Sequence, residues 1–347
     1  MNHPPQNRLV SILRSRAALI VSVAVVACVA GILLARIFPN LFTGPSAPVS
    51  IAAIREKGKY DLISPLLLCG PKDTLRESRA LERKIENIIS LKKASGELTT
   101  SGVYLRELDS GVWAGVNADA EFSPASLLKL PTMIAYFKYA ERVPEILSKQ
   151  VFYQDRLHQN KKEYFKPTDR ILPGNSYSIE DLIRAMITHS DNNATVLLDQ
   201  NVDKNSLLEA YTDLGLPIPF TQEATADFLS PRLYSYFLRL LYNATYLNRD
   251  FSERALLILS QSDFNKGLVA GVPSDVRVAH KFGERSVLSP DGKLKYSELH
   301  DCGIVYYPTN PYLLCVMTKG KDLDELAGVI KEISAVVYDA VSGEVKP

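Results

Sequence analysis

Ser126 stands three residues before Lys129, so on a helix the two side chains share one face. A serine hydroxyl is a poor nucleophile until a base takes its proton. A lysine can be that base if burial and neighbouring cations depress its pKa. Leu127, Leu128, Leu130 and Pro131 surround the pair with apolar residues, which implies burial. Pro124 and Ala125 fit a tight entry that leaves the Ser126 N–H exposed at a helix start, where it can stabilise an oxyanion. Further along, Ser190-Asp191-Asn192 places a second hydroxyl beside an amide. Ser190 can relay a proton to a leaving group, and Asn192 can hold Lys129 and a substrate amide. The same three residues also suit plain N-capping of the next helix, which is compatible with catalysis. Lys281-Phe282-Gly283 follows. Lys281 offers positive potential to a carboxylate, Gly283 lets a substrate backbone lie close to a strand, and the Glu284 N–H is the second oxyanion donor. Together these residues build a serine acyl-transfer site that needs no histidine. Ser90 and Lys93 repeat the first spacing, but they read as helix surface.

These residues need elements to hold them. Leu81, Ile85 and Ile88 predict a helix over 75–93. β-Branched and aromatic residues predict a strand at 100–107, turned by Asp109-Ser110-Gly111 into a second at 112–116. A buried helix is expected over 126–142. Ser178 to Asp181 approximates a capping box for a helix ending at 187, and a second helix follows from 193. Helices are also expected at 231–247 and 252–262. Strands return at 276–281, 299–307 and 312–319. Leu323, Leu326, Ile330, Ile333 and Val337 space a closing amphipathic helix. The order predicts an α/β (α+β) fold: one antiparallel sheet flanked by helices, with the helical middle as a second lobe.

The chain has 347 residues, 46% of them hydrophobic, and a formal net charge of +1. It is long enough for one large core or two ordinary ones, and no strong field argues for a nucleic-acid partner. Residues 17–35 carry no charge and are long enough to cross a bilayer's ~30 Å core. Arg8, Arg14 and Arg16 precede them. This predicts a cytoplasmic N-terminus over 1–16, a transmembrane signal anchor at 17–38 and an extracytoplasmic linker and lead-in at 39–75. A cleaved signal peptide is the competing reading, and Cys28 a poor match to a lipoprotein signal. Residues 63–69 are too apolar for a free linker and are expected to pack on the domain. Cys69, Cys302 and Cys315 lie beyond the anchor. Cys302 and Cys315 flank a Pro-rich turn and could pair across strands, or all three could be buried thiols. No Cys/His spacing suggests zinc or another metal, and no cofactor is called for.

The three motifs resemble the Ser-x-x-Lys, Ser-Asp-Asn and Lys-Thr-Gly signature of class A β-lactamases and penicillin-binding proteins. Phe122 to Pro131 is similar to that family's nucleophile segment, Met186 to Thr195 to its second motif, and Ser230-Pro231 to the helix start after its Ω-loop. The resemblance covers roughly residues 76–342. It implies a β-lactamase/transpeptidase-like fold. It also implies that Ser126 is acylated, Lys129 is its base partner, Ser190 the proton relay and Lys281 the carboxylate anchor. The implied substrate is a small molecule or a peptidoglycan-type peptide carrying an amide or β-lactam carbonyl. The alternatives are a D,D-peptidase or a weakly active acyl-binding sensor. Two positions depart from the pattern. Phe282 replaces the usual hydroxyl residue, removing one hydrogen bond to a substrate carboxylate. The family's Ω-loop glutamate motif is missing: Glu223, with Asp227 four residues later, is the nearest deacylation base, only eight residues before Pro231. Acylation is expected to be intact and deacylation slow.

Overall fold

The computed structural model describes residues 54–56, 58–68, 76–154, 157, 159–217 and 227–343, with Val23, Val26 and Ala27 near the N-terminus. The chain divides into two compact units, 1–51 and 52–347. In the first, the three described residues are helical. The 17–35 run otherwise lies outside the described residues, as do Cys69 and Glu223. No helix among the described residues is long and apolar enough to cross a membrane.

The second unit opens with a short ribbon, β1 (Ile54–Arg55) and β2 (Leu66–Leu68). Next come α1 (Arg79–Ala94), β3 (Thr100–Glu107) and β4 (Trp113–Val116). A 3-10 turn, Ala125–Leu128, leads into α2 (Lys129–Ala140). The short strands β5 (Gln150–Phe152) and β6 (Ser176–Ser178) pair with each other. The helical lobe continues with α3 (Ile179–Thr188), α4 (Asn192–Asn201), α5 (Lys204–Asp213), α6 (Pro231–Tyr242) and α7 (Arg249–Leu259). The chain closes with β7 (Val278–Leu288), β8 (Leu294–Val305), β9 (Tyr312–Gly320) and α8 (Leu323–Gly343).

β3, β4, β7, β8 and β9 form one antiparallel sheet in the order β4-β3-β9-β8-β7. Side chains alternate across it because the strand period is two. Val103, Leu105, Leu314 and Val316 face α1 and α8, while Tyr104, Leu313, Cys315 and Met317 face the helical lobe. Both faces are covered, so the strands read as near-continuous apolar runs. Every apolar position predicted for the closing helix is buried. The capping box forms as read: Ser178 accepts from the Asp181 N–H and Asp181 accepts from the Ser178 N–H. Cys302 and Cys315 stand opposite each other in the β8–β9 register and form a disulfide. The lead-in is fastened to the helical lobe. Glu253 accepts from the Leu62 and Ile63 N–H groups, and Ser64 N–H donates to Tyr242.

One strand differs from its sequence reading. Lys281-Phe282-Gly283 does not close a strand but lies inside β7, which runs on to Leu288. β7 is an edge strand, and its glycine marks a close backbone approach rather than an end.

Candidate active site

The segment around Ser126 is sharply bent. Ala125 sits at φ +46°, a left-handed conformation rare for a residue with a Cβ. Ser126 follows as the second residue of the 3-10 turn, so its N–H belongs to the donors a helix start leaves over. Gly283 packs directly on this turn. A Cβ there would lie 3.2 Å from the backbone nitrogens of Ser126 and Leu127 and from the Pro124 carbonyl oxygen. The edge of β7 is thereby laid beside Ser126, with Glu284 as the next residue along it. Imidazole nitrogen from His300 meets the Ser123 carbonyl at 2.9 Å and helps fix the approach to the turn. Burial holds that imidazole down to about 4, so it is neutral.

Lys129 and Lys281 are both buried. Lys129 Nζ donates to Ser190 Oγ at 3.0 Å, to Asn192 Oδ1 at 2.7 Å and to the Ser190 carbonyl. Lys281 Nζ donates to the same Ser190 Oγ at 3.0 Å and to the Phe282 carbonyl at 2.8 Å. Ser190 itself sits at φ +53°. Strain of this kind persists only where surrounding contacts over-determine it, and here two lysines do so. Asp191 supplies the scaffold. Its carboxylate caps α4 through the Asn193 and Ala194 N–H groups and also accepts from Ile171 N–H at 3.1 Å.

Burial depresses Lys129 from 10.5 to about 8, against the pull of Glu163, Asp191, Glu284 and Asp199. Lys281 is driven well below its ordinary value, by burial first and by the Lys129 ammonium second. As an ammonium, Lys129 spends its three protons on Ser190 and Asn192. Among the described residues, no hydrogen bond joins it to Ser126. Losing one proton leaves a lone pair, which is what a base for the Ser126 hydroxyl requires.

The cleft above these groups has a volume of about 570 Å³. Ser126, Ser190, Asn192, Phe282, Glu284 and Arg285 contribute to its walls, so the residues singled out in the sequence converge. Phe282 is nearly buried and stacks on Phe264 at 4.1 Å between centroids. It therefore supplies an apolar wall where the family pattern has a hydroxyl. Ser90 and Lys93 are exposed on α1, far from any role here.

Three carboxylates were not legible as site residues. Glu163 accepts from Asn192 Nδ2 at 2.7 Å, and burial pushes it up to about 7. The side chain of Glu284 accepts from the Tyr164 and Phe165 N–H groups at 2.7 and 3.2 Å, tying that loop across the cleft to β7. Asp199, on α4, shares a second hollow with Ser126 and Lys129, and burial raises it to about 6. No group of three His, Cys, Asp or Glu residues among those described could hold a metal.

The sequence pattern of the beta-lactamase enzyme family matches residues 80–341. The chain belongs to that family, and it is a serine hydrolase. No curated protein matches the chain in sequence. Among solved structures it is similar to PBP-A at 23% identity and a TM-score of 0.62, covering 77% of this chain and 98% of that one. A PBP-A mutant solved as an acyl-enzyme complex with penicillin G is similar to the same degree. A beta-lactamase from Chitinophaga pinensis matches at 19% identity and a TM-score of 0.62, covering 76% of this chain and 100% of that one. At these identities the structures speak for the shared fold.

Proposed function

We propose that this serine hydrolase acylates Ser126 with an amide or β-lactam carbonyl and then releases the acyl group to water. Lys129, as the free amine, takes the Ser126 proton. The Ser126 and Glu284 N–H groups hold the oxyanion. The Ser190 hydroxyl passes the proton to the leaving nitrogen, and Lys281 draws the substrate carboxylate. The observation that carries this reading is the Ser190 hydroxyl held by two buried lysines beside the Ser126 turn. A surface Ser-x-x-Lys has no use for two buried lysines, whose desolvation is costly. Intact mass spectrometry after penicillin exposure tests it: one adduct should form, map to Ser126 and be absent from Ser126→Ala.

Turnover is the part of the reading with the least machinery. By its place in the sequence Glu223, eight residues before Pro231, is the candidate deacylation base, and that spacing is shorter than the family pattern. A chromogenic cephalosporin should be hydrolysed slowly, well below the roughly 1–10³ per second of ordinary enzymes. Turnover in that range, lost on Glu223→Gln, would restore Glu223 as an efficient base.

The setting proposed is a membrane anchor at 17–35 with the catalytic unit outside the cytosol. The uncharged run behind three arginines supports it. So does the Cys302–Cys315 disulfide, a bond that persists in oxidising compartments. A mature N-terminus mapped beyond residue 35 on the native protein would remove the anchor.

A further inference from the structure

A second hollow, of about 450 Å³, opens between β3 and α6 and shares no lining residue with the Ser126 cleft. β3 lies three strand positions from β7, roughly 14 Å at the usual strand spacing. Tyr104 and Arg106 reach the hollow from one face of β3, since alternate residues of a strand share a face. Arg232, Ser235, Tyr236 and Arg239 reach it from α6, at the i, i+3, i+4 and i+7 spacing of a single helix face. Three guanidiniums are thereby gathered around one space.

One carboxylate in the lining, Asp119, stands against them. It accepts from Arg232 Nε at 2.7 Å, and the Arg232 guanidinium lies 4.8 and 5.2 Å from the centroids of the Tyr104 and Trp113 rings. Its two terminal nitrogens make no hydrogen bond among the described residues. Arg106 and Arg239 make no hydrogen bond and no ion pair among the described residues. Arg239 is half-buried. Burial lowers its pKa first, and the Arg106 and Arg55 guanidiniums lower it further, so the cluster repels itself. It stays charged all the same, because arginine is not deprotonated in proteins. Arg55 shows the contrast: it donates to the Asn243 side chain and to the Ser64 and Leu108 carbonyls. Taking a guanidinium out of water without a partner is costly, and an anion in the hollow would offset that cost.

We propose that this hollow binds a phosphate monoester, with Arg106, Arg232 and Arg239 on the phosphate and the ester group against the tyrosines. With Asp119 paired to Arg232, two positive charges are left over, and a dianion matches them. Guanidinium forks grip phosphate oxygens in parallel pairs. Ser230, the N-cap of α6, also lines the hollow, so the positive end of that helix adds to the field. The space exceeds a bare phosphate, which fills only a few times the ~30 Å³ of a water molecule. Tyr104, Leu233 and Tyr236 offer the remainder as a wall for an organic group. The site does not depend on the acylation of Ser126.

The test uses the full chain with three probes: phenyl phosphate, inorganic phosphate and the diester methyl phenyl phosphate. Binding is read by calorimetry and by the shift in melting temperature, well above the second phosphate pKa of about 6. Phenyl phosphate should bind once per chain and raise the melting temperature. It should bind more tightly than inorganic phosphate, which lacks the aromatic group, and about tenfold more tightly than the diester, which carries one charge fewer. Arg106→Gln and Arg239→Gln should each weaken it by about tenfold, the loss of one charge-assisted contact. Without ligand, both variants should melt at or above the wild-type temperature, because each removes an unpaired like charge. A purely structural arginine would instead lower the melt and leave no phosphate effect to lose. No heat and no melting shift with phenyl phosphate would overturn the site, and so would affinity unchanged in both variants. A diester bound as tightly as the monoester would overturn the match to a dianion.

Discussion

Lys281 donates to the Ser190 hydroxyl at 3.0 Å from a fully buried position. Lys129 reaches the same oxygen from the opposite motif, at the same distance. The hydroxyl accepts twice, which leaves its own proton free to be donated, and Ser190 lines the cleft. That is the geometry a relay to a leaving nitrogen requires. Both amines are depressed, Lys129 by burial and Lys281 by burial first and the Lys129 ammonium second.

Ser126→Ala should abolish covalent labelling by penicillin without unfolding the protein, since losing one hydroxyl opens no large cavity. Ser90→Ala, at the exposed repeat of the motif on α1, should label at the wild-type rate. Intact mass over time reads both, and an unchanged rate in Ser126→Ala would remove the basis of the mechanism.

Gly283→Ala should slow acylation more than it lowers stability. Its Cβ would meet the Ser126 and Leu127 nitrogens and the Pro124 oxygen at 3.2 Å, tighter than ordinary packing. These are backbone atoms, which cannot swing away, so the β7 edge has to back off from the turn. Misplacement on the scale of 1 Å costs on the order of 10²-fold in rate. Stopped-flow acylation alongside a thermal melt separates the two effects.

Removing the Cys302–Cys315 disulfide by the double change to alanine should cost about 2–4 kcal/mol. Both residues are fully buried on the lobe-facing side of the sheet, so truncation adds lost packing to the lost cross-link. The melting temperature should fall by roughly 5–10 °C. An unchanged melt would mean the two strands hold their register without it.

What could be read in the sequence was what local spacing encodes. Ser126 and Lys129 are one turn apart, Ser178 caps its own helix, and the closing helix repeats its apolar stripe. Long-range placement was not legible. Glu163 meets Asn192 from 29 residues away, on a loop with no periodicity to mark it. Asp199 belongs to none of the three motifs, so nothing in its spacing marked it. Gly283 looked like a strand end because the partner it makes room for, the Ser126 turn, is far off in the chain. Lys204–Asp213 was missed as a helix although Leu207, Ala210, Tyr211 and Leu214 repeat at helical spacing and are buried.

Acylation should rise with pH through the Lys129 transition. In the proposed mechanism the base is the free amine, and burial lowers its pKa to about 8. Below that value the ammonium dominates and the rate should fall about tenfold per pH unit; above it the rate should level off. Asp199 offers a handle on this limb. Its carboxylate raises the Lys129 pKa through space, and burial places its own near 6. Asp199→Asn removes that support, so Lys129 should lose its proton more readily and the rising limb should move to lower pH. Near pH 6 the wild-type protein has Asp199 part-protonated, and the variant's advantage should shrink below that point. Adduct formation measured from pH 5 to 9 in both proteins decides it. A limb that stays in place, or moves upward, would mean that Lys129 is not the group whose deprotonation gates the attack.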